Sequence, residues 1–150
     1  MPKRISIILT VLIVIVCFLY VANAQKGEKG WLKTVTLPSA DLILDMSGEW
    51  DVMYEPSGYL SRIGTYGDTL TITQEGAKFT AVKQFGSRFV PKGAESIKGE
   101  LDKSGFKEVY LCTQASPKDT VWEPCKWEIS ENGNKVVLDY ESGKATLTRK

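Results

Sequence analysis

Histidine is absent from the 150-residue chain. That removes the commonest general base, proton shuttle and transition-metal ligand together. A serine or cysteine nucleophile would need another activating base, and no G-x-S-x-G elbow occurs. The one S-x-x-K match, Ser104 to Lys107, falls on an expected hairpin turn and lacks the S-D-N and K-T-G partners of that chemistry. Acids such as Glu49, Glu95, Glu100, Glu108 and Asp139 mostly alternate with apolar residues, as solvated strand faces do. The chain is therefore expected not to be an enzyme, and no catalytic residue is assigned.

Other absences narrow the class further. Cysteines number only three, and without histidine they make a poor zinc set; no acidic loop has calcium-site spacing. Neither metal nor cofactor is expected. An excess of one charge is also missing. The whole chain carries a formal +1, and loss of Lys3 and Arg4 with a cleaved leader would leave −1, since all 18 acidic residues lie beyond them. Such a balance gives a phosphate backbone nothing to hold, which excludes nucleic acid as the expected partner. Internal repeats, low-complexity tracts and helix-length amphipathic segments between the strands are likewise missing.

The one long apolar run stands at the start. Pro2, Lys3 and Arg4 precede Ile5 to Tyr20, and Ala22-Asn23-Ala24 places small residues where a signal peptidase reads, so residues 1–24 are expected to be a signal peptide cleaved before Gln25. Uncleaved, Ile5 to Ala22, about 18 residues, would be at the lower limit for a membrane anchor. Export, to periplasm or medium, follows. Residues 25–40 read as a polar, lysine-rich leader segment bearing Trp31, and residues 41–150 as one domain. Cys17 departs with the leader. Cys112 and Cys125 then remain in an oxidising compartment and are expected to form a disulfide across the connection between the fifth and sixth strands, which Pro117 and Pro124 should keep out of the sheet.

Within the domain, Ser39 to Met46 reads as a turn of helix with Ser39 as cap. From Trp50 the rhythm has a period of two: Trp50, Val52 and Tyr54, then Leu70 and Ile72, Phe79 and Ala81, Ile97 to Leu101, Phe106 to Thr113, Cys125 to Ile129, Val136 to Tyr140 and Ala145 to Arg149. Glu75-Gly76, Ser104-Gly105, Asn132-Gly133 and Ser142-Gly143 sit between these runs and predict hairpins, hence antiparallel neighbours. Eight such strands with one apolar face must curl that face inward. The expected fold is all-β, an eight-stranded antiparallel up-and-down barrel with a short N-terminal helical turn.

Gly48-Glu49-Trp50 opening the first barrel strand, with Arg149 in inward phase on the last, resembles the G-x-W signature of the lipocalin and calycin proteins. The resemblance spans roughly Asp41 to Lys150 and implies a structural role for Gly48, Trp50 and Arg149: the tryptophan closes the barrel floor and the arginine packs across its ring. The T-D-Y signature has no counterpart here, so the likeness is to a compact lipocalin-like domain.

Two links exceed hairpin length. Pro56 to Gly67 carries Tyr59, Leu60, Ile63 and Tyr66; in the proteins it resembles, the first long loop is the lid of the ligand mouth. Gln84 to Ala94 carries Phe85, Arg88 and Phe89, an aromatic and basic mix suited to an amphipathic anion. Together with Tyr54 these are the candidate ligand-binding residues. The expected function is an exported, non-enzymatic binding protein holding a small apolar or amphipathic molecule in the barrel. The alternative is a packed-barrel interaction module, a secreted protease inhibitor or an envelope assembly component, meeting a protein partner through the Trp31 segment.

Overall fold

The computed structural model describes residues 30–130 and 132–150. The expected signal peptide, and the leader up to residue 29, lie outside the described residues. Among those described, eleven strands and one 3-10 turn occur in the order β1 (Thr34–Thr36), β2 (Leu42–Leu44), β3 (Gly48–Pro56), a 3-10 helix (Gly58–Ile63), β4 (Tyr66–Glu75), β5 (Lys78–Lys83), β6 (Glu95–Asp102), β7 (Gly105–Ala115), β8 (Thr120–Pro124), β9 (Lys126–Ile129), β10 (Lys135–Tyr140) and β11 (Gly143–Arg149). Every paired strand is antiparallel. No helix among the described residues is long and apolar enough to cross a membrane.

Nine strands make one sheet, ordered β8-β7-β6-β5-β4-β3-β11-β10-β9, which curls into a nearly closed barrel. Its two edges are consecutive in sequence. The run from Thr120 to Ile129 pairs first with β7 and then, beyond Cys125, with β10, so one stretch of chain passes from one edge to the other. The expectation of eight strands is corrected to nine here, because Thr120–Pro124 is a strand and not part of the loop that Pro117 and Pro124 suggest. A tight turn between Ser116 and Asp119, with paired backbone bonds of 2.9 and 3.3 Å, sends the chain straight back along β7. Pro124 is the last residue of β8, where a missing N–H costs little.

The remaining seam lies between β9 and the first half of β7. It is bridged by one backbone bond, Cys125 N–H to the Val109 carbonyl at 2.9 Å, and by the Phe106 and Trp127 rings in edge-on contact at 5.8 Å. A Cβ on Gly105 would lie 2.5 Å from the Trp127 ring, so a glycine is required there for the indole to lean across. At the other end of the seam, Ser142 donates from its N–H and its hydroxyl to the two carboxylate oxygens of Glu123, at 3.0 and 2.8 Å, joining β8 to the β10–β11 turn.

Alternation does the rest. Trp50, Val52, Tyr54, Leu70, Ile72, Phe79, Ala81, Ile97, Leu101, Leu138 and Leu147 point inward into one contiguous core, while Asp51, Met53, Glu55 and the threonines of β4 face out or lie half-buried. At the floor the Arg149 guanidinium lies 4.3 Å from the centre of the Trp50 ring and donates to the carbonyls of Ser47 (2.9 Å) and Asp45. The indole N–H donates to the Met46 carbonyl at 2.8 Å.

Two expectations fail. Ser39 to Met46 is not helical: Ala40 takes φ 68°, which turns the chain, and Leu42–Leu44 pairs with Thr34–Thr36 as a hairpin. That hairpin still caps the floor, burying Ile43, Leu44 and Met46, and Gln74 anchors it by accepting from the Met46 N–H at 2.7 Å. Trp31 packs into the same place and is only 3% exposed. The disulfide is also absent; Cys112 and Cys125 are both free thiols. Register is the reason. Cys112 stands opposite Trp122, three residues from Cys125 along the partner strand, which at strand rise is about 10 Å and beyond the reach of a disulfide.

Candidate functional site

Both long links emerge at the rim opposite the Trp50 floor. The first is shaped by Gly58 and Gly64 at its two ends, φ 56° and 74°, between which Gly58–Ile63 winds as a 3-10 turn. The Ser57 N–H donates to the Ser142 carbonyl at 2.8 Å and moors its base.

The second link is held by a carboxylate from the neighbouring strand. Asp68 is in inward phase on β4, and its oxygens accept from the N–H groups of Thr69 (2.7 Å), Phe85 (3.1 Å) and Gly86 (2.9 Å). Within the loop the Ser87 hydroxyl accepts from the N–H groups of Phe89 and Val90, and the Phe89 carbonyl accepts from Ala115 N–H at 2.8 Å. A Cβ on Gly86 would lie 2.2 Å from the Lys92 nitrogen, so this close crossing needs glycine. The loop is therefore a built structure, fixed at its start, middle and apex.

Between the two links lies a cleft of about 590 Å³, lined by Arg62, Ile63, Tyr66, Gly67, Gly86, Ser87, Arg88 and Phe89. Its side chains include two guanidinium groups and no carboxylate. Of the residues expected to bind a ligand, Ile63, Tyr66, Arg88 and Phe89 meet here. Leu60 is half-buried and does not line the cleft, and Tyr59 and Phe85 point to solvent, 76% and 74% exposed. Tyr54 is buried below, its ring stacked on Tyr66 with centroids 4.9 Å apart. Arg62 is the cationic member that the sequence reading missed, because nothing in its spacing separates it from an ordinary loop arginine.

A polar layer lies under the cleft, and its two charged members were also missed. Lys83 is 2% exposed; its ammonium sits 4.1 Å from the Tyr54 ring centre, 5.2 Å from that of Tyr66 and 3.8 Å from Asp68 Oδ2. It makes no hydrogen bond among the described residues. Burial pulls its proton affinity below the usual lysine value, against the opposing pull of Asp68. Burial likewise raises the Tyr54 and Tyr66 phenols above theirs, partly offset by the Ser96 and Ser87 hydroxyls. Tyr54 and Ser96 share a hydrogen bond of 3.0 Å. The signal for this layer was phase: Lys83 follows Phe79 and Ala81 at steps of two, and Asp68 precedes Leu70 and Ile72 in the same way.

A second concavity of about 470 Å³ lies on the outer face of β4 to β7 and mixes Glu75, Glu100 and Glu108 with Lys78 and Lys98. Among the described residues no three acidic, cysteine or histidine side chains gather to hold a metal ion. Neither a protein-family model, nor a curated protein, nor a solved structure matches the chain.

Proposed function

We propose that this is an exported, non-enzymatic binding protein that holds one small amphipathic molecule at the mouth of its barrel. The observation that carries the reading is the composition of the cleft: apolar surface from Ile63, Tyr66 and Phe89 beside the guanidinium groups of Arg62 and Arg88, with no acidic side chain in its lining. Such a site favours an apolar body with an anionic or strongly hydrogen-bond-accepting end. The contiguous core lies below the Tyr54–Lys83–Tyr66 layer, which leaves the mouth above that layer for the guest. A lipocalin-like assignment is supported by the antiparallel meander and by the Trp50–Arg149 stack at the opposite end. Export is supported by the leader over residues 1–24. The interaction-module alternative draws support from the packed core, but Trp31, the contact it would use, is tucked against Leu44 and Gly133.

A sulfonated naphthalene dye, fluorescent when shielded from water, tests the reading. It should bind at one equivalent. The double variant Arg62→Ala, Arg88→Ala, with unchanged circular dichroism, should bind it at least about tenfold more weakly, a loss of about 1.4 kcal/mol. Equal affinity for both proteins would contradict a cleft that selects by its arginines.

A further inference from the structure

The Lys83 ammonium has three N–H donors. Its one charged neighbour among the described residues, Asp68, stands 3.8 Å away with its oxygens already accepting from three backbone amides. Buried donors without acceptors are costly, and so is a buried charge held by one imperfect partner. Tyr66 is shared between this group and the cleft: its half-buried ring lines the cleft and lies 5.2 Å from the ammonium, so displacement of that ring opens the amine to the cleft.

Non-covalent capture of an anion at Lys83 would leave Asp68 and a second negative charge inside the barrel against one positive charge. A neutral carbonyl compound avoids that imbalance. We propose that Lys83 is a covalent capture site for small aldehydes with an apolar body, which enter by the rim cleft and condense with its amine to a protonated imine paired with Asp68. The inference rests on the cleft being a ligand site.

The step balances within the groups present. The ammonium passes a proton to Asp68; the neutral amine adds to the carbonyl carbon, whose oxygen becomes the hydroxyl of a carbinolamine. That hydroxyl leaves as water, taking the proton back from Asp68, and the nitrogen lone pair forms the C=N bond. The product keeps the single positive charge of the ammonium opposite the single negative charge of Asp68. It carries one N–H in place of three, so one neighbouring carboxylate suffices. The Tyr54 and Tyr66 rings, at 4.1 and 5.2 Å, suit a delocalised cation. The lowered proton affinity of the buried amine favours the attacking form. This is a stoichiometric capture, with no turnover.

The test is reductive trapping with hexanal and cyanoborohydride on the folded, full-length protein, followed by peptide mapping. Lys83 should take up the hexyl group at least about tenfold faster than the exposed Lys33, Lys78 and Lys92, because the cleft holds the aldehyde beside an amine whose neutral form burial favours. The sulfonated dye should slow labelling at Lys83 and leave the surface lysines unaffected. Lys83→Arg, folded by circular dichroism, should lose that one adduct. Surface labelling with Lys83 untouched, while the dye still binds in an arginine-dependent manner, would overturn the inference and leave the cleft as a reversible site. Failure of the arginine-dependent dye binding itself would remove the cleft reading. Lys83 labelling that the dye does not slow would overturn the route through the cleft.

Discussion

The guanidinium of Arg149, on the last strand, lies 4.3 Å from the centre of the Trp50 ring on the first barrel strand, and bonds past it to the carbonyls of Ser47 and Asp45. One side chain thus joins the last strand of the chain to the segment that leads into the first strand of the barrel. Trp50→Ala should destabilise the protein by about 3–5 kcal/mol in urea unfolding, as aromatic truncations in cores do. Arg149→Ala should cost about 1.5–3 kcal/mol through the carbonyls it leaves unpaired. The double variant should cost less than the sum of the two; strict additivity would mean that the stack contributes nothing.

Much of this floor was legible beforehand, and the reason is phase. Trp50 and Arg149 stand at inward steps of two on the first and last barrel strands, which curling of the sheet places side by side, and Arg149 pairs with Trp50 in the observed register. The Ser39 to Met46 segment misled because a serine cap before Leu42, Leu44 and Met46 also suits a helical turn; its conformation depends on φ 68° at Ala40 and on pairing with Thr34–Thr36, neither of which propensity reveals. Thr120–Pro124 is masked in the sequence by Pro117 and Pro124, although only Pro124 lies in the strand and that at its end. The cleft was half legible. Loop length and chemistry single out Ile63, Tyr66, Arg88 and Phe89, which line the cleft, and equally Tyr59 and Phe85, which turn out to solvent because a loop has no phase to tell one side from the other. Lys83 and Asp68 lie in the phase of the core, but each stands at or near the end of its strand, where a charged side chain suits the solvated rim as well, so alternation alone does not mark them as buried.

Asp68 holds both the rim loop and the Lys83 ammonium. Asp68→Asn should cost about 3–5 kcal/mol, because it leaves a buried cation without its counter-charge. Adding Lys83→Met should recover most of that loss. Chemical denaturation of the two variants checks this; a double variant no more stable than Asp68→Asn would show that the penalty comes from the loop amides instead.

The seam makes a separate prediction. Gly105 adopts φ 136° with Trp127 across its face, so Gly105→Ala should be destabilised by about 1–3 kcal/mol through strain and overpacking. Trp127→Leu in the same background should relieve part of it. Thermal unfolding of the three variants is sufficient, and an unperturbed Gly105→Ala protein would mean that the indole does not close the gap.

Alkaline pH should act through Cys125. Burial pushes its thiol from the ordinary 9.0 up to about 12, with the Glu123 and Asp139 charges adding to the shift and a backbone hydrogen bond opposing it. Between those values the unfolded chain has already lost the proton that the folded chain keeps, so this group's contribution to stability is full below pH 9 and declines towards pH 12. Under reducing conditions, the stability lost by wild type across that window should exceed the loss in Cys125→Ala. Parallel curves would mean that the thiol is not buried.

The central claim is that the rim cleft carries a small guest, and native mass spectrometry of the protein purified from its own source addresses it most directly. We expect a bound small molecule, released on collisional activation or, if held by Lys83, retained as an adduct. We also expect a folded Phe89→Asp variant, with an acid placed among the apolar lining, to lack it. Bare polypeptide mass in repeated preparations of the wild type, or the same guest retained equally by the variant, would contradict the account.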